Sequence, residues 1–139
     1  MKNKDEYYMN IALNEAKKAF NNGEIPVGAV IVYNDKIVGI GHNCKEKNNN
    51  CLMHAEIIAL NMACGKLKSW RLDQCVMYVN LEPCNMCMGA VLEAKIKRVV
   101  YSLPNKNKQM FELKNILFTS GILKNESAVI IKKFFQNLR

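Results

Sequence analysis

The stretch VMYVNLEPCNMCMGAVLEAKIKRVVY, residues 76–101, carries the decision about the fold. Residues 76–79 are a short apolar run with two valines, the pattern of a strand buried on both faces. Pro83 follows closely and suits the first turn of a helix, so residues 84–94 read as a helix. Val99, Val100 and Tyr101 then make a further strand. Strand, helix and strand in succession are the units of a sheet covered by helices.

Toward the N-terminus, Met9, Leu13, Ala16 and Phe20 recur at helical spacing and Asn22-Gly23 supplies a stop, so an amphipathic helix opens the chain. Residues 27–33 and 36–41 are rich in Val and Ile. The two-residue turn signal Asn34-Asp35 between them predicts an antiparallel hairpin. A polar loop runs on through Asn50. Over residues 53–64, Ala55, Ile58, Ala59 and Met62 form a helical face, with Gly65 placed to cap its end. Toward the C-terminus, polar residues 104–109 leave the fourth strand and residues 116–119 make a fifth. Ala128, Ile131, Phe135 and Leu138 give a final helix its apolar face. Five strands interleaved with helices predict an α/β sandwich. No repeat, linker or break in composition appears, so residues 1–139 read as a single domain.

Half of the 139 residues are hydrophobic and 23% are charged, the composition of a globular chain with one core and not of a disordered one. No apolar run approaches the roughly 20 residues that a membrane helix needs, and the segment from Met1 to Asp5 is polar. A cytoplasmic location with no membrane partner is the expectation. In a reducing compartment the six cysteines point to metal binding or burial rather than disulfides. The formal charge of +8 favours polyanionic partners, because Lys and Arg displace counterions from phosphates. A Lys- and Asn-rich solvated surface accounts for the charge equally well.

Two short pieces hold the chemistry, His54-Ala55-Glu56 and Pro83-Cys84-Asn85-Met86-Cys87, each opening a predicted helix. Cysteines three apart on a helical turn share a face, so both sulfurs reach one ion, and the helix N-terminus favours their thiolates. His54 completes a set of three ligands suited to zinc, leaving the fourth tetrahedral position open to water. Two thiolates cancel the charge of the ion, so water there benefits from a neighbouring base. Glu56, two residues beyond the histidine, is placed to be that base and to shuttle protons. H-x-E followed by P-C-x-x-C is the signature of zinc-dependent nucleobase deaminases.

Other readings stay open at this stage. Cys64 and Cys75 read as buried hydrophobes, Cys44 is undecided, and His42 at a strand end is a surface or core residue. Cys51-Leu52-Met53-His54 is itself C-x-x-H. Cys51 with His54, Cys84 and Cys87 would close a four-ligand structural zinc site without catalysis.

The sequence resembles the bacterial tRNA-specific adenosine deaminases, within the cytidine deaminase-like superfamily, over nearly its whole length. The resemblance rests on Glu24-Ile25-Pro26-Val27-Gly28-Ala29-Val30, on His54-Ala55-Glu56, and on the thirteen residues from Tyr78 through Pro83-Cys84-Asn85-Met86-Cys87 to Ala90. It implies a three-layer α/β/α sandwich with a mixed five-stranded sheet and a homodimer. It also implies one zinc ion per subunit, held by His54, Cys84 and Cys87 with Glu56 as proton shuttle. The implied reaction converts the wobble adenosine of a tRNA anticodon stem-loop to inosine. By the same resemblance Asn43 matches a base-contacting asparagine, and Val27, Leu81 and Ala55 match the pocket. Phe134 and Phe135 match a pair in the final helix that either packs in the core or touches the anticodon loop.

The pattern departs between the fourth and fifth strands, where relatives carry a longer segment that begins with an aspartate. Here Leu103-Pro104-Asn105-Lys106-Asn107-Lys108-Gln109 leads quickly to Ile116, near the minimum of about a dozen residues for a parallel crossover, so any helix there is short. Asn105 stands where that aspartate would contact the tRNA. Altered substrate anchoring, with relaxed choice between single-stranded RNA and DNA, is the expectation. A deaminase of a free base or nucleoside, such as guanine, cytosine or cytidine, is the competing enzyme reading.

Overall fold

The structure is a computed structural model that describes residues 2–106 and 115–138, with side chains from residue 4 onward. The elements in chain order are α1 (Lys2–Asn21), β1 (Gly28–Tyr33), β2 (Lys36–His42), α2 (Lys45–Asn48), α3 (Ala55–Leu67), β3 (Val76–Leu81), α4 (Asn85–Glu93), β4 (Arg98–Leu103), β5 (Leu117–Thr119) and α5 (Lys124–Asn137). The sheet order is β2-β1-β3-β4-β5. β1 runs antiparallel to β2 and β3, and β3, β4 and β5 run parallel, so the sheet is mixed as expected.

Alternation along the central strands builds two cores. Ala29, Ile31, Met77, Val79 and Val99 face α3 and α4, whereas Val30, Val32, Tyr78 and Val100 face α1. Because both faces are covered, β1 is buried along nearly its whole length and reads as a continuous apolar run. The hairpin closes on Asn34 and Asp35 at φ 49° and 60°, the paired left-handed conformation that matches the twist of antiparallel strands. The stop after α1 falls as predicted, with Gly23 at φ 77°.

α3 departs from its predicted pattern. It continues past Gly65 to Leu67, and Lys68 takes the left-handed cap at φ 52°, its N–H donating to the Cys64 carbonyl. Its buried face is Ala55, Ala59 and Ala63 with Leu60, while Met62 is exposed. The reason lies on β2. A Cβ at Gly39 would stand 2.3 Å from the Ala59 carbonyl oxygen, and one at Gly41 would stand 2.6 Å from that of Ala55. Helix and strand thus approach backbone to backbone, with Ala59 and Ala63 over Gly39 and with Ala55 and the Ile58 side chain over Gly41.

Two further expectations change. The predicted loop through Asn50 contains the short helix α2. In α5, Phe135 and Leu138 are 50% and 67% exposed, so core packing of Phe135 does not hold. Ser127 is the buried residue of that helix, and Phe134 leans edge-on against Phe20 of α1. The predicted short crossover, including Asn107, Lys108 and Gln109, lies outside the described residues.

Candidate active site

The two motifs meet where α3 and α4 begin. His54 and Cys84 are the N-cap residues of these helices, both in extended backbone, and Cys87 sits one turn into α4. His54 Nδ1 is 3.5 Å from Cys87 Sγ and 3.8 Å from Cys84 Sγ, and all three ligand atoms lie within 4.8 Å of one another. A tetrahedral zinc with bonds of about 2.3 Å to sulfur and about 2.1 Å to nitrogen separates such ligands by about 3.6 Å. The donor set and its spacing therefore fit zinc. Exposed Cys51 takes no part in the group, which corrects the four-ligand structural alternative.

The electrostatics follow from the placement. The Cys87 thiol hydrogen-bonds Cys84 and, against the opposing effect of burial, lowers its pKa to about 5, helped by the Cys87 and Met86 backbone N–H groups and by His54. The same hydrogen bond, together with burial, raises Cys87 far above the ordinary thiol range. Glu56 is 4% exposed, and burial pushes its carboxyl up to about 7 while it stays in hydrogen-bond contact with Cys87. A buried carboxyl that holds its proton near neutrality beside a ligand cluster is a group poised for proton transfer.

The remaining predicted residues divide. Asn43 is buried; its Oδ1 accepts from the Ala55 N–H at 2.9 Å and its Nδ2 donates to the Ile25 carbonyl at 3.0 Å. It thereby satisfies a free donor at the start of α3 and ties that helix to the segment before β1. Val27 and Ala55 are core residues. Leu81, Asn105 and Phe135 border a cleft of about 590 Å³ that Lys106 and Lys124 also line. Phe134 borders a smaller hollow beside Ile25 and Asn43.

Sequence reasoning passed over three supporting polar residues. Asn80, fully buried, accepts from the Gly28 N–H at 2.8 Å and donates to the Pro26 carbonyl and to Ser127 Oγ. Glu24 accepts the Glu46 and Lys47 N–H groups and so caps α2. Glu82 accepts the Asn105 N–H. The available signal was an Asn inside a strand otherwise made of Val, Met, Tyr and Leu, since a polar residue in such a run must find partners.

A helix-covered mixed sheet that brings a His-x-Glu helix start against a Pro-Cys-x-x-Cys helix start defines a class of hydrolases, the zinc-type deaminases. The family model of the MafB19-like deaminases matches residues 2–139. The sequence is 40% identical over 147 residues to the tRNA-specific adenosine deaminase of Buchnera aphidicola subsp. Schizaphis graminum, covering 99% of this chain and 97% of that one. It is 38% identical to the enzyme of the same name from Bacillus subtilis, covering 97% and 91%. A solved structure from studies of A-to-I editing by tRNA:A34 deaminases at the wobble position of transfer RNA superposes with a TM-score of 0.83 at 32% identity, covering 89% of this chain and 98% of that chain. The chain belongs to the family of tRNA-specific adenosine deaminases.

Proposed function

We propose that the protein hydrolyses the wobble adenosine of a tRNA anticodon to inosine and ammonia, and the observation that carries this is the buried Glu56 carboxyl set against the converging His54, Cys84 and Cys87 ligands. One zinc ion per subunit, held by those three residues, would supply Lewis-acid activation of the attacking water. Water adds at the purine carbon bearing the amine, the carbon–nitrogen bond breaks, and ammonia leaves. Glu56 accepts the proton of the water, hands it to the ring nitrogen and then moves a proton to the departing amine.

Asn43, already clamped between Ile25 and Ala55, presents its remaining hydrogen-bonding capacity to the base. Val27, Leu81 and Ala55 supply apolar surface in place of the stacking that a flipped base gives up. Phe134, Phe135 and Asn105 contact the anticodon loop, and the surplus of positive charge favours its phosphates. A homodimer working in the cytoplasm completes the proposal; no helix among the described residues is long and apolar enough to cross a membrane.

Incubating the zinc-loaded protein with an anticodon stem-loop bearing a wobble adenosine, beside Glu56→Ala, tests the reading by mass spectrometry. Inosine is expected from the parent protein, with turnover by the variant reduced by at least about a hundredfold. Deamination of free guanine, cytosine or cytidine with no conversion of the stem-loop would overturn the substrate assignment.

A further inference from the structure

We infer that Asn105 and Glu82 form a brace that holds the Cys84 ligand in place, so that a residue at the rim of the cleft governs how tightly zinc is retained. The inference rests on the metal-site reading above and adds two positioning residues to it. Glu82 lies two residues before Cys84, at the point where the chain leaves β3 for the N-cap of α4, and only 7% of it is exposed. Three hydrogen bonds seize this one residue from the end of β4 and the chain just beyond it. The Glu82 N–H donates to the Leu103 carbonyl at 2.8 Å, the Asn105 N–H donates to Glu82 Oε1 at 3.1 Å, and Asn105 Nδ2 donates to the Glu82 carbonyl at 3.3 Å.

The last bond grips the carbonyl of the Glu82–Pro83 peptide. Pro83 has no N–H and its φ is held by its ring, so the chain from Glu82 to Cys84 has few freedoms left once that carbonyl is fixed. The position of Cys84 Sγ is then set from outside its own helix. Groups that orient metal ligands in this way commonly change metal affinity by about ten- to hundredfold when removed.

The chemistry of position 105 is demanding. A carboxamide donates to the Glu82 carbonyl, whereas a carboxylate has no donor and would face both that carbonyl and the Glu82 carboxyl group. An acidic residue there must turn away from the metal loop, and Asn turns toward it. Asn105 also borders the 590 Å³ cleft, so whatever occupies the cleft touches the brace that steadies the ligand.

The test is zinc release from the purified holoprotein to a chromophoric chelator, with a melting curve for each variant as a measure of folding. Asn105→Asp and Asn105→Ser are expected to release zinc about ten- to hundredfold faster than the parent while melting cooperatively. Placing Glu82→Gln in the Asn105→Asp background removes the conflict between carboxylates but not the lost donor to the Glu82 carbonyl, so it is expected to restore part of the retention; measured against Glu82→Gln alone, this is a non-additive result that simple loss of packing would not produce. Parental release rates in folded Asn105→Asp and Asn105→Ser, or strict additivity of Asn105→Asp and Glu82→Gln in the double variant, would overturn the brace. If Asn105→Asp does not fold, the Asn105→Ser rate decides alone. A parent that binds no zinc would refute the metal-site reading instead, and the assay needs no RNA.

Discussion

Glu56 is a carboxyl group taken almost wholly out of water, and such a group stays charged only when something compensates the loss of hydration. Here burial, reinforced by the neighbouring Cys84, outweighs the hydrogen bonds from the backbone and from Cys87 that favour the charged form, so the carboxyl is held up at about 7. The division of labour between neighbouring cysteines is equally local. Cys84 at the helix N-cap is stabilised as a thiolate, whereas exposed Cys51, three residues before His54, lies outside the group. Cys84→Ser is therefore expected to abolish zinc retention and Cys51→Ser to leave it at the parental level, as measured by metal content after dialysis against a chelator. The pairing of Cys84 with Cys87 was readable from spacing, because residues three apart on a helical turn are neighbours whatever the rest of the fold does, whereas His54, 30 residues before Cys84, was legible only through its own motif. The clamp made by Asn43 was not legible, since its partners Ile25 and Ala55 lie 18 and 12 residues away in sequence.

Elements meet here through their smallest residues. Gly39 and Gly41 on β2 admit the backbone of α3, and Gly28 on β1 admits α1, where a Cβ would stand 2.1 Å from the Ala12 carbonyl oxygen. Hydrophobic periodicity located α3 and put Ala55 and Ala59 on its buried face, but it also placed Met62 there, which is exposed, and passed over Leu60 and Ala63, because it weights a large apolar residue above alanine where the approach to Gly39 favours a small one. His54 and Glu56 ride on that helix, so its depth against β2 sets where they stand. Gly39→Ala drives a methyl into the Ala59 carbonyl, and backbone on both sides allows little relief. A loss of about 3 kcal/mol, the upper range for overpacking, is expected, seen as a fall in Tm of about 10 °C. α5 is the opposite case, an element with one buried residue, Ser127, whose Oγ donates to the Asn80 carbonyl at 2.7 Å.

Across the whole molecule, one ion-pair network joins the first helix to the middle of the sheet. Asp5 accepts from Arg98 Nη2 at 2.8 Å and from Tyr78 Oη at 2.9 Å. Burial alone would raise the Asp5 carboxyl, but the Arg98 and Tyr78 hydrogen bonds outweigh it and hold the pKa below the ordinary aspartate value. A carboxylate whose folded pKa is depressed contributes stability that is complete above its unfolded pKa of about 3.9 and is lost as pH falls through the folded value. Asp5→Asn is thus expected to cost about 2 kcal/mol at neutral pH, with the gap to the parent closing as the solution is acidified below about pH 4. Urea melts at pH 7 and pH 3 measure this; an equal gap at both would show that the charge of Asp5 is not what stabilises the junction.

The sequence alone determined the order of the five strands and of the longer helices, the hairpin at Asn34-Asp35, and the two motifs that supply the candidate metal group of His54, Cys84 and Cys87 with Glu56 beside it. Each of these depends on chemistry or periodicity within a few consecutive residues. Only the tertiary structure decided that Cys51 stands apart from the metal group, that alanines form the buried face of α3, that Phe135 is exposed at a cleft, and that Asn43, Asn80 and Asn105 brace the site. Those outcomes depend on which segments the sheet order β2-β1-β3-β4-β5 brings together. A polar side chain read in isolation does not disclose the backbone group, dozens of residues distant, that will satisfy it.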